Sequence, residues 1–485
     1  MSVKFTFEEA LGRTGFGRYS YTVIGAIGVN TIAYACITYG TIIIVPSSAC
    51  ELHTTSTQRG ILAAGPIIGL ILGSGLWGLL ADLFGRRRTL LISILSAAFV
   101  NVLSSFSVNW IMLLCLQFLS ALLASGLFSQ SMSMLSESVP VAKRNVVMLL
   151  ANSISFLAQG LMAVFAIPII PLTFSYYIPI LNIHWNSWRT LQIVYSLPSL
   201  VAAGWMYYLE ESPKFAYARG MHDESLEILK RIHNINYRGT REIFEVVEIV
   251  KLQKPPTFTI KEQIFPLFRL PLLKSTVIMT LLLIFQQTGA FIMWLPTISN
   301  QVLKLVKEGE GTELTVCGVL NASRTWEPNS GVSPCSLDVA AMLTLFTLGL
   351  IHSILICLVS IVINKVGRRN MVIIITTVCG LCGIVVNLVP NIFVSGILFM
   401  VFMAGFIVIS LYMAMAVALF PTHLRAFALS FVLSGGRVAL FASVQIINYL
   451  LENNCEFSFH LFSGIFALSA LLASFLSDDS KTMKN

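Results

Sequence analysis

The stretch GLLADLFGRRRTLL, Gly78–Leu91, places one aspartate and three consecutive arginines between two strongly apolar runs of the chain. Only 11% of the 485 residues are charged, while 56% are hydrophobic and the mean hydropathy is +0.81. A soluble core cannot absorb that much apolar surface, so the composition indicates an integral membrane protein. The charges of this stretch are therefore expected in a loop between two membrane helices.

Apolar runs long enough to cross a bilayer recur along the whole chain. A membrane helix needs roughly 20 mostly apolar residues. The sequence predicts twelve such helices, at about Tyr21–Val45, Gly60–Leu80, Thr89–Phe106, Ile111–Ser133, Val146–Leu172, Trp188–Leu209, Leu273–Asn300, Ala340–Asn364, Met371–Leu388, Ile392–Phe420, Phe427–Leu451 and Phe457–Leu476.

Lysine and arginine are concentrated in alternate loops. With the N-terminus inside, the inner segments hold most of the 31 basic residues, as the positive-inside rule requires. The sequence therefore predicts that both termini are cytoplasmic. The net charge of +8 is explained by an anionic inner leaflet, so no nucleic-acid partner is expected.

The predicted outer loops carry a glycosylation sequon and four cysteines. The sequon begins at Asn321, so we expect a glycan there. Cys317 and Cys335 share that loop on the oxidising side and form a candidate disulfide. Cys50 and Cys455 are also predicted outside, which leaves other pairings open.

A segment dense in charges of both signs divides the chain. We predict an N-terminal six-helix bundle at 1–209, a cytoplasmic linker with short surface helices at 210–272, and a C-terminal six-helix bundle at 273–485. The last bundle contains the glycosylatable outer loop, at about 301–339. The sequence has no P-loop, no Ser/His/Asp arrangement and no metal-ligand spacing, so we expect no catalytic residue, metal, cofactor or enzyme activity.

The opening stretch has a counterpart in the second half. Gly78 opens the first motif, and two motif pairs recur at a nearly constant separation. A repeat of this kind is typical of a transporter with a central site between two halves. The pairs are Asp82-x-x-Gly85-Arg86-Arg87 with Asn364-x-x-Gly367-Arg368-Arg369, and Glu137-x-x-Pro140-x-x-x-Arg144 with Ala418-x-x-Pro421-x-x-x-Arg425.

These motifs resemble those of the major facilitator superfamily. GLLADLFGRRR resembles its signature loop between helices two and three, and SESVPVAKRN the element after helix four. EESPKFAYARG, Glu210–Gly220, is similar to the motif that follows helix six in the sugar-porter branch. FTFEEALGRTGFGRYSY, VPSSACEL, MWLPTISN and the long outer loop with two cysteines resemble the animal branch related to synaptic vesicle glycoprotein two and organic ion transporters.

The resemblance implies an all-α membrane protein with twelve helices in two six-helix bundles, which rock about a central cavity to give alternating access. Asp82 is expected to cap the inner end of helix two, and the resemblance implies that this loop meets the start of helix eleven near Ala426–Phe427 as a breakable latch. The second half departs from the pattern, because Asn364 and Ala418 stand where the first half has acids.

Few polar residues lie deep in the predicted helices, and ionisable groups there default to function. Arg437 is the clearest: it contacts an anionic substrate, crosses to helix two, snorkels to the membrane surface, or binds backbone carbonyls. His352 is either a satisfied polar residue or a proton-coupling group. Gln286 and Gln287 resemble the sugar-porter QQxxG element. The other candidate cavity residues are Gln117, Gln159, Phe165, Trp294 and Tyr412.

The leading hypothesis is therefore a transporter for a small organic solute, anionic or zwitterionic rather than cationic because of Arg437. The absence of a mid-helix carboxylate in the sequence favours facilitated diffusion or exchange over proton symport. The alternatives are a transport-inactive vesicle or surface glycoprotein that acts by binding, and a sugar or organic-cation facilitator. The expected partners are the solute and the bilayer, with a monomeric chain in the plasma membrane or a vesicle membrane.

Overall fold

The computed structural model describes residues 4–238, 244–246, 248–250, 265–270, 272–286, 288–307, 313–325, 339–420 and 425–476. Across these ranges the chain is helical apart from two short strand pairs and the connecting turns. Eleven helical stretches in these residues are long and apolar enough to cross a membrane. The predicted helical membrane fold is confirmed, while the number twelve stays a prediction.

The helices of the first half follow the predicted spans closely, although several of these spans are interrupted. The predicted span Trp188–Leu209 is divided at Tyr195–Ser196 into two short helices. The helices are α1 (Phe7–Arg13), α2 (Arg18–Tyr39), α3 (Thr41–Ser48), α4 (Ser56–Phe84), α5 (Arg86–Ser104), α6 (Trp110–Ala124), α7 (Leu127–Ser138), α8 (Val141–Ala166), α9 (Ser187–Val194) and α10 (Leu197–Tyr207).

Two helices occupy the charged segment, and the rest form the second half. In the charged segment are α11 (Pro213–Ala218) and α12 (His222–Asn236). The second half has α13 (Leu272–Phe285), α14 (Thr288–Lys307), α15 (Val316–Thr325), α16 (Val339–Val366), α17 (Arg368–Val385), α18 (Ile392–Ala404), α19 (Val408–Leu419), α20 (Arg425–Asn453) and α21 (Cys455–Ser474).

Besides the span that is divided into α9 and α10, four spans that the sequence predicts as continuous are interrupted: α2–α3, α6–α7, α13–α14 and α18–α19. An aromatic ring packs closely on a glycine at or beside each break. A Cβ on Gly40 would lie 2.8 Å from the Tyr195 ring, and one on Gly405 would lie 2.7 Å from the Phe466 ring. Interrupted helices leave carbonyl groups in the membrane that side chains must satisfy. The other two pairs are Gly126 with Trp77, and Gly289 with Phe406.

The helix ends lie on two faces, here called outer and inner. The outer face carries a disulfide between Cys317 and Cys455, with the Cα atoms 5.6 Å apart. The candidate disulfide between Cys317 and Cys335 is therefore wrong, because Cys317 is bonded to Cys455, one of the other outer cysteines. The reason is that α15 folds back over the helix ends, where Asn387 Oδ1 accepts a hydrogen bond from the Cys317 amide at 3.1 Å. Cys50 is also disulfide-bonded, and Cys335 lies outside the described residues.

The inner face carries the same backbone turn in both halves. Gly85, between α4 and α5, has φ 96° and ψ 157°, and Gly367, between α16 and α17, has φ 88° and ψ 150°. This region of backbone conformation is open essentially to glycine alone. The shared geometry supports the predicted repeat of two halves.

Four short strands form two pairs, one on each face. They are β1 (Lys4–Phe5), β2 (Tyr176–Ile178), β3 (Ile183–Trp185) and β4 (Glu248–Ile249). On the inner face, β1 pairs in parallel with β4. Phe7, Leu11 and Leu229 form a separate apolar cluster there, so the N-terminal segment and the charged segment pack together as one inner layer. On the outer face, β2 and β3 form an antiparallel hairpin.

Candidate functional site

The predicted motif residues of the first half meet at the inner face. Arg86 Nη2 lies 2.9 Å from Asp82 Oδ1, and Arg86 Nε lies 3.3 Å from Glu137 Oε2. The side chains of Arg86 and Glu137 are only 17% and 14% exposed, whereas that of Asp82 is 71% exposed. The Arg86–Glu137 pair is therefore the shielded interaction, and the Asp82 pair lies at the surface.

Asp82 does not cap the inner end of α4 as predicted. Arg86 Nη1 donates to the Ala81 carbonyl at 2.9 Å, and Arg219 Nη2 donates to the carbonyls of Asp82, at 3.2 Å, and Leu83. The physical reason is that a helix C-terminus presents carbonyl groups and partial negative charge, which favour cations. The predicted contact of this loop with Ala426–Phe427 involves side chains outside those the structure describes.

Glu211 is a partner that sequence reasoning did not assign. Its carboxylate accepts hydrogen bonds from the backbone amides of Arg86, at 2.8 Å, and Arg87, at 3.0 Å. It therefore caps the N-terminus of α5, where a carboxylate is favoured. A Cβ on Gly85 would lie 2.5 Å from Glu211 Oε2, so this glycine is needed for space as well as for its positive φ. The sequence signal that could have identified Glu211 was the pair of acidic residues that begins the Glu210–Gly220 motif.

Two further arginines tie the first half to its surroundings. Arg87 donates to the carbonyls of Met206, at 3.3 Å, and Tyr207, at the end of α10. Arg144, near the start of α8, pairs with Glu8 of α1 at 2.9 Å. Pro140 stands as the N-cap of α8, and its carbonyl accepts from the Arg144 amide at 3.1 Å.

The inner face of the second half has the same arginines with different partners. Arg368 Nη1 donates to the Ala414 carbonyl at 3.2 Å, and Arg369 Nη1 donates to the Leu476 carbonyl at 3.3 Å. Pro421 lies outside the described residues, and the side chains of Asn364 and Arg425 are not described. For the described side chains, carbonyl acceptors replace the carboxylates of the first half.

Arg437 joins the two halves in the membrane. Its Nη1 donates to the Leu70 carbonyl of α4 at 2.9 Å, and its side chain is half-buried. Two of the four predicted alternatives, a crossing to helix two and a bond to a backbone carbonyl, are thus both present. Towards the outer face, Gln445 donates to the Gly60 carbonyl at 2.8 Å and Asn448 to the Ser56 carbonyl at 3.1 Å. These three donors hold α20 against α4.

A second contact between the halves runs along α8 and α16. The hydroxyls of Ser153 and Ser353 are 2.7 Å apart. Nearer the outer face, a Cβ on Gly349 would lie 2.7 Å from the Gly160 backbone nitrogen, so the two backbones touch. Small residues permit such close approach of membrane helices. The sequence-based candidates did not include this pair.

His352 is fully buried beside this contact. Its Nε2 lies 3.0 Å from the Met403 carbonyl, near the break between α18 and α19. The ring faces Phe156 of the first half and Phe406 of the second, with centroid distances of 5.8 and 5.9 Å. One ring nitrogen is satisfied by a carbonyl, and the surroundings are aromatic, as expected for the satisfied polar residue that is one of its two predicted roles.

Gln286 bridges two helix breaks. Its Nε2 donates to Thr288 Oγ1 at 2.8 Å and to the Gly405 carbonyl at 3.3 Å. The amide nitrogen is thus used inside the protein, while no partner of Oε1 is found among the described residues. Gln287 lies outside the described residues.

The remaining predicted cavity residues lie in both halves. Gln117 of α6 is 4% exposed, and within the described structure neither end of its amide has a hydrogen-bond partner. Trp294 is 8% exposed and Tyr412 is fully buried in the second half. Gln159 is half-buried on α8. Phe165 packs against the main core.

Comparisons with known proteins agree with this architecture. The sequence profile of the Major Facilitator Superfamily matches residues 27–323. The chain belongs to the Major Facilitator Superfamily. The crystal structure of a D-xylose-proton symporter aligns with a TM-score of 0.66 at 15% identity, covering 96% of this chain and 99% of that one. An inward-open structure of the xylose transporter XylE from E. coli aligns with the same TM-score at 17% identity, covering 96% of this chain and 98% of that one.

Relatives of this superfamily chain include vesicle proteins of animals. Synaptic vesicle glycoprotein 2B of Mus musculus is 29% identical over 251 residues, which are 51% of this chain and 37% of that protein. The putative transporter svop-1 of Caenorhabditis elegans is 29% identical over 235 residues, which are 48% of this chain and 42% of that protein. The matches thus span less than half the length of these relatives. The resemblance to this animal branch is confirmed.

An ion pair at the outer face of this superfamily member was not predicted either. Arg189 is fully buried, and its Nη2 lies 2.6 Å from Glu51 Oε1. Its Nη1 donates to the carbonyls of Ser105 and Ser107 at 2.6 and 2.9 Å. Glu51 Oε2 also accepts from Trp188 Nε1 at 2.7 Å. The pair joins three outer loops. The available sequence signal was the VPSSACEL segment, which contains Glu51.

Proposed function

We propose that this protein carries a small organic solute across a membrane by alternating access, with the described state open towards the inner face. The supporting observation is where the two halves touch. The hydrogen bonds described between the halves, from Ser153, Arg437, Gln445 and Asn448, run from the middle of the membrane to the outer face.

The inner ends of the same helices are exposed. On α8, Val146 is 66% exposed and Val141 52%, and on α16, Ile361 is 71% exposed. Apolar side chains are also exposed nearer the outer ends, such as Leu343 at 46% on α16 and Val164 at 39% on α8, so exposure alone does not define a cleft. The support for an inward-open state is the position of the hydrogen bonds between the halves. This is one of the two states that alternating access requires.

Arg437 supports an anionic or zwitterionic solute. A guanidinium has five N–H donors, and one of them is used by the Leu70 carbonyl. The side chain is half-buried at the meeting point of the two halves. The sequence offers no carboxylate in the middle of any predicted helix. An acidic group on the solute would therefore supply the missing counter-charge, whereas a cation would be repelled.

The test is uptake into liposomes that contain the purified chain, with a solute first identified by metabolite profiling of expressing cells. We expect Arg437→Gln to abolish uptake while the protein still reaches the membrane, and Arg437→Lys to retain part of it. The matched control is Gln445→Leu, which removes a neighbouring contact between the halves but no charge. Normal uptake by Arg437→Gln, or a solute that is an organic cation, would contradict the charge argument.

The same experiment addresses the second candidate, a membrane glycoprotein that acts by binding. The observation in its favour is that the second-half arginines are held by carbonyls rather than by carboxylates, so one inner gate has lost its acidic members. A protein of this kind moves no solute in liposomes. Asn321 is exposed on α15 at the outer face, which suits the predicted glycan.

A further inference from the structure

The β2–β3 hairpin projects from the outer face as a preformed unit. Tyr176 pairs with Trp185, Tyr177 with His184 and Ile178 with Ile183. The Tyr177 hydroxyl donates to Asn182 Oδ1 at 2.8 Å across the turn. At its base, the buried Arg189 donates from Nε to the His184 carbonyl at 3.0 Å.

The tip of this hairpin has an unusual composition for a turn. Ile180 and Leu181 occupy its centre, where glycine, asparagine, aspartate or serine is the usual choice. Ile180 is 93% exposed, and Tyr176 and Tyr177 are 69% and 54% exposed. Residues 167–186 contain no aspartate, glutamate, lysine or arginine. A water-exposed loop has no physical reason to present this surface.

The hairpin lies next to helices that expose apolar side chains. Its base lies at the outer ends of α5 and α9, since Arg189 also holds the Ser105 and Ser107 carbonyls, and the Phe106 and Trp185 rings are 5.4 Å apart. The neighbouring helices expose large apolar side chains along their lengths, among them Phe99 at 64% on α5 and Val201 at 58% on α10. In a membrane protein, that surface faces lipid.

We propose that the hairpin is an interfacial anchor, whose tip inserts into the headgroup region of the outer leaflet beside α5 and α10. Tyrosine rings suit this zone, because they offer an apolar body and a polar hydroxyl. Pairing satisfies about half of the strands' backbone groups. The outward-facing groups can bond water and headgroups in this zone, whereas the hydrocarbon core would leave them unpaired. The occupant of this surface is lipid, and it fixes the height and tilt of the first half in the bilayer.

The test uses the full chain in liposomes and an added tryptophan as probe. Ile180→Trp places the probe at the tip, and Glu313→Trp places a control in a charged outer loop. The wild-type emission is subtracted in each case. We expect the Ile180→Trp probe to emit at shorter wavelength than the control. We also expect lipids brominated near the headgroup to quench most of its emission, and aqueous acrylamide to quench little of it.

Each other outcome overturns the proposal. If acrylamide quenches the Ile180→Trp probe as strongly as the Glu313→Trp control, the tip lies in water. If neither quencher reaches the probe, protein covers the tip, either a second copy or another chain. A second variant, Ile180→Ser with Leu181→Asn, provides a check without a probe. If the hairpin anchors the protein, this variant makes the first half more accessible to labelling from the outer face. If it does not, the labelling stays unchanged and the proposal is wrong.

Discussion

The inner faces of the two halves share a backbone turn and differ in what holds it. In the first half, Gly85 is followed by arginines that meet the carboxylates of Asp82, Glu137 and Glu211. In the second half, Gly367 is followed by arginines that meet the carbonyls of Ala414 and Leu476. The repeat has kept the shape and the cations of the motif, while among the described side chains the carboxylate partners belong to the first half.

The difference suggests unequal mobility. Charge-assisted bonds between ionised groups are stronger than bonds from arginine to a neutral carbonyl. Glu211 and Glu8 also belong to the inner layer built from the charged and N-terminal segments, whose described contacts cited here are with the first half. We therefore expect the first half to behave as the fixed part, with the second half moving against it.

The largest expected effect comes from removing the first arginine of each motif. Arg86→Gln leaves the shielded Glu137 without its cation, which should destabilise the protein by about 3 kcal/mol. Arg368→Gln loses a single bond to a carbonyl, about 1.5 kcal/mol. The measurement is the apparent melting temperature of each purified variant in one detergent.

A double variant sharpens this comparison. Arg86→Gln with Glu137→Gln removes the unpaired charge as well, so it should be more stable than Arg86→Gln alone. Equal losses for Arg86→Gln and Arg368→Gln would show that the carboxylates add nothing, and the proposed asymmetry would fail.

A smaller effect is expected from adding a methyl group at the shared turn. Both Gly85→Ala and Gly367→Ala place a side chain at a strained positive φ, which costs roughly 1–3 kcal/mol. Only at Gly85 does the new Cβ also meet the Glu211 carboxylate, at 2.5 Å. Gly85→Ala should therefore lower the melting temperature more, and Glu211→Gln combined with it should add little further loss. Strictly additive losses would mean that the carboxylate does not contact this glycine.

Some of this arrangement could be predicted from sequence, and some could not. The motif pairs, the membrane fold and the position of Arg437 follow from local patterns of charge and hydropathy. The acidic partners do not, because Glu211, Glu51 and Glu8 lie 125, 138 and 136 residues from the arginines or amides they bind. Only the folded topology brings such residues together.

The helix breaks are not predicted from the sequence, for a related reason. The runs around Gly40 and Gly405 stay apolar across each interruption, so hydropathy shows one continuous span. At each break an aromatic ring from elsewhere in the chain, Tyr195 or Phe466, packs on the glycine, and hydropathy does not show that contact. The predicted cap by Asp82 is wrong for a similar reason. The sequence places Asp82 at a helix end, but it does not show that Arg86 and Arg219 donate to the carbonyls there.

The smallest expected effect is an exchange of the acids between the two halves. Asp82 is 71% exposed, so Asp82→Asn removes only a surface pair with Arg86, about 0.3–0.5 kcal/mol. Asn364→Asp creates the same four-residue spacing ahead of Arg368 and should stabilise the second half by a similar amount. The effects of both substitutions on stability should be smaller in high salt, because exposed ion pairs are screened.

The readout is labelling of single cysteines at the inner ends of α8 and α16 in low and high salt. Asp82→Asn should leave it nearly unchanged, because the shielded Arg86–Glu137 pair stays intact. A large shift for Asp82→Asn would mean that this exposed carboxylate latches the halves in the opposite state, and that the shielded pair is secondary.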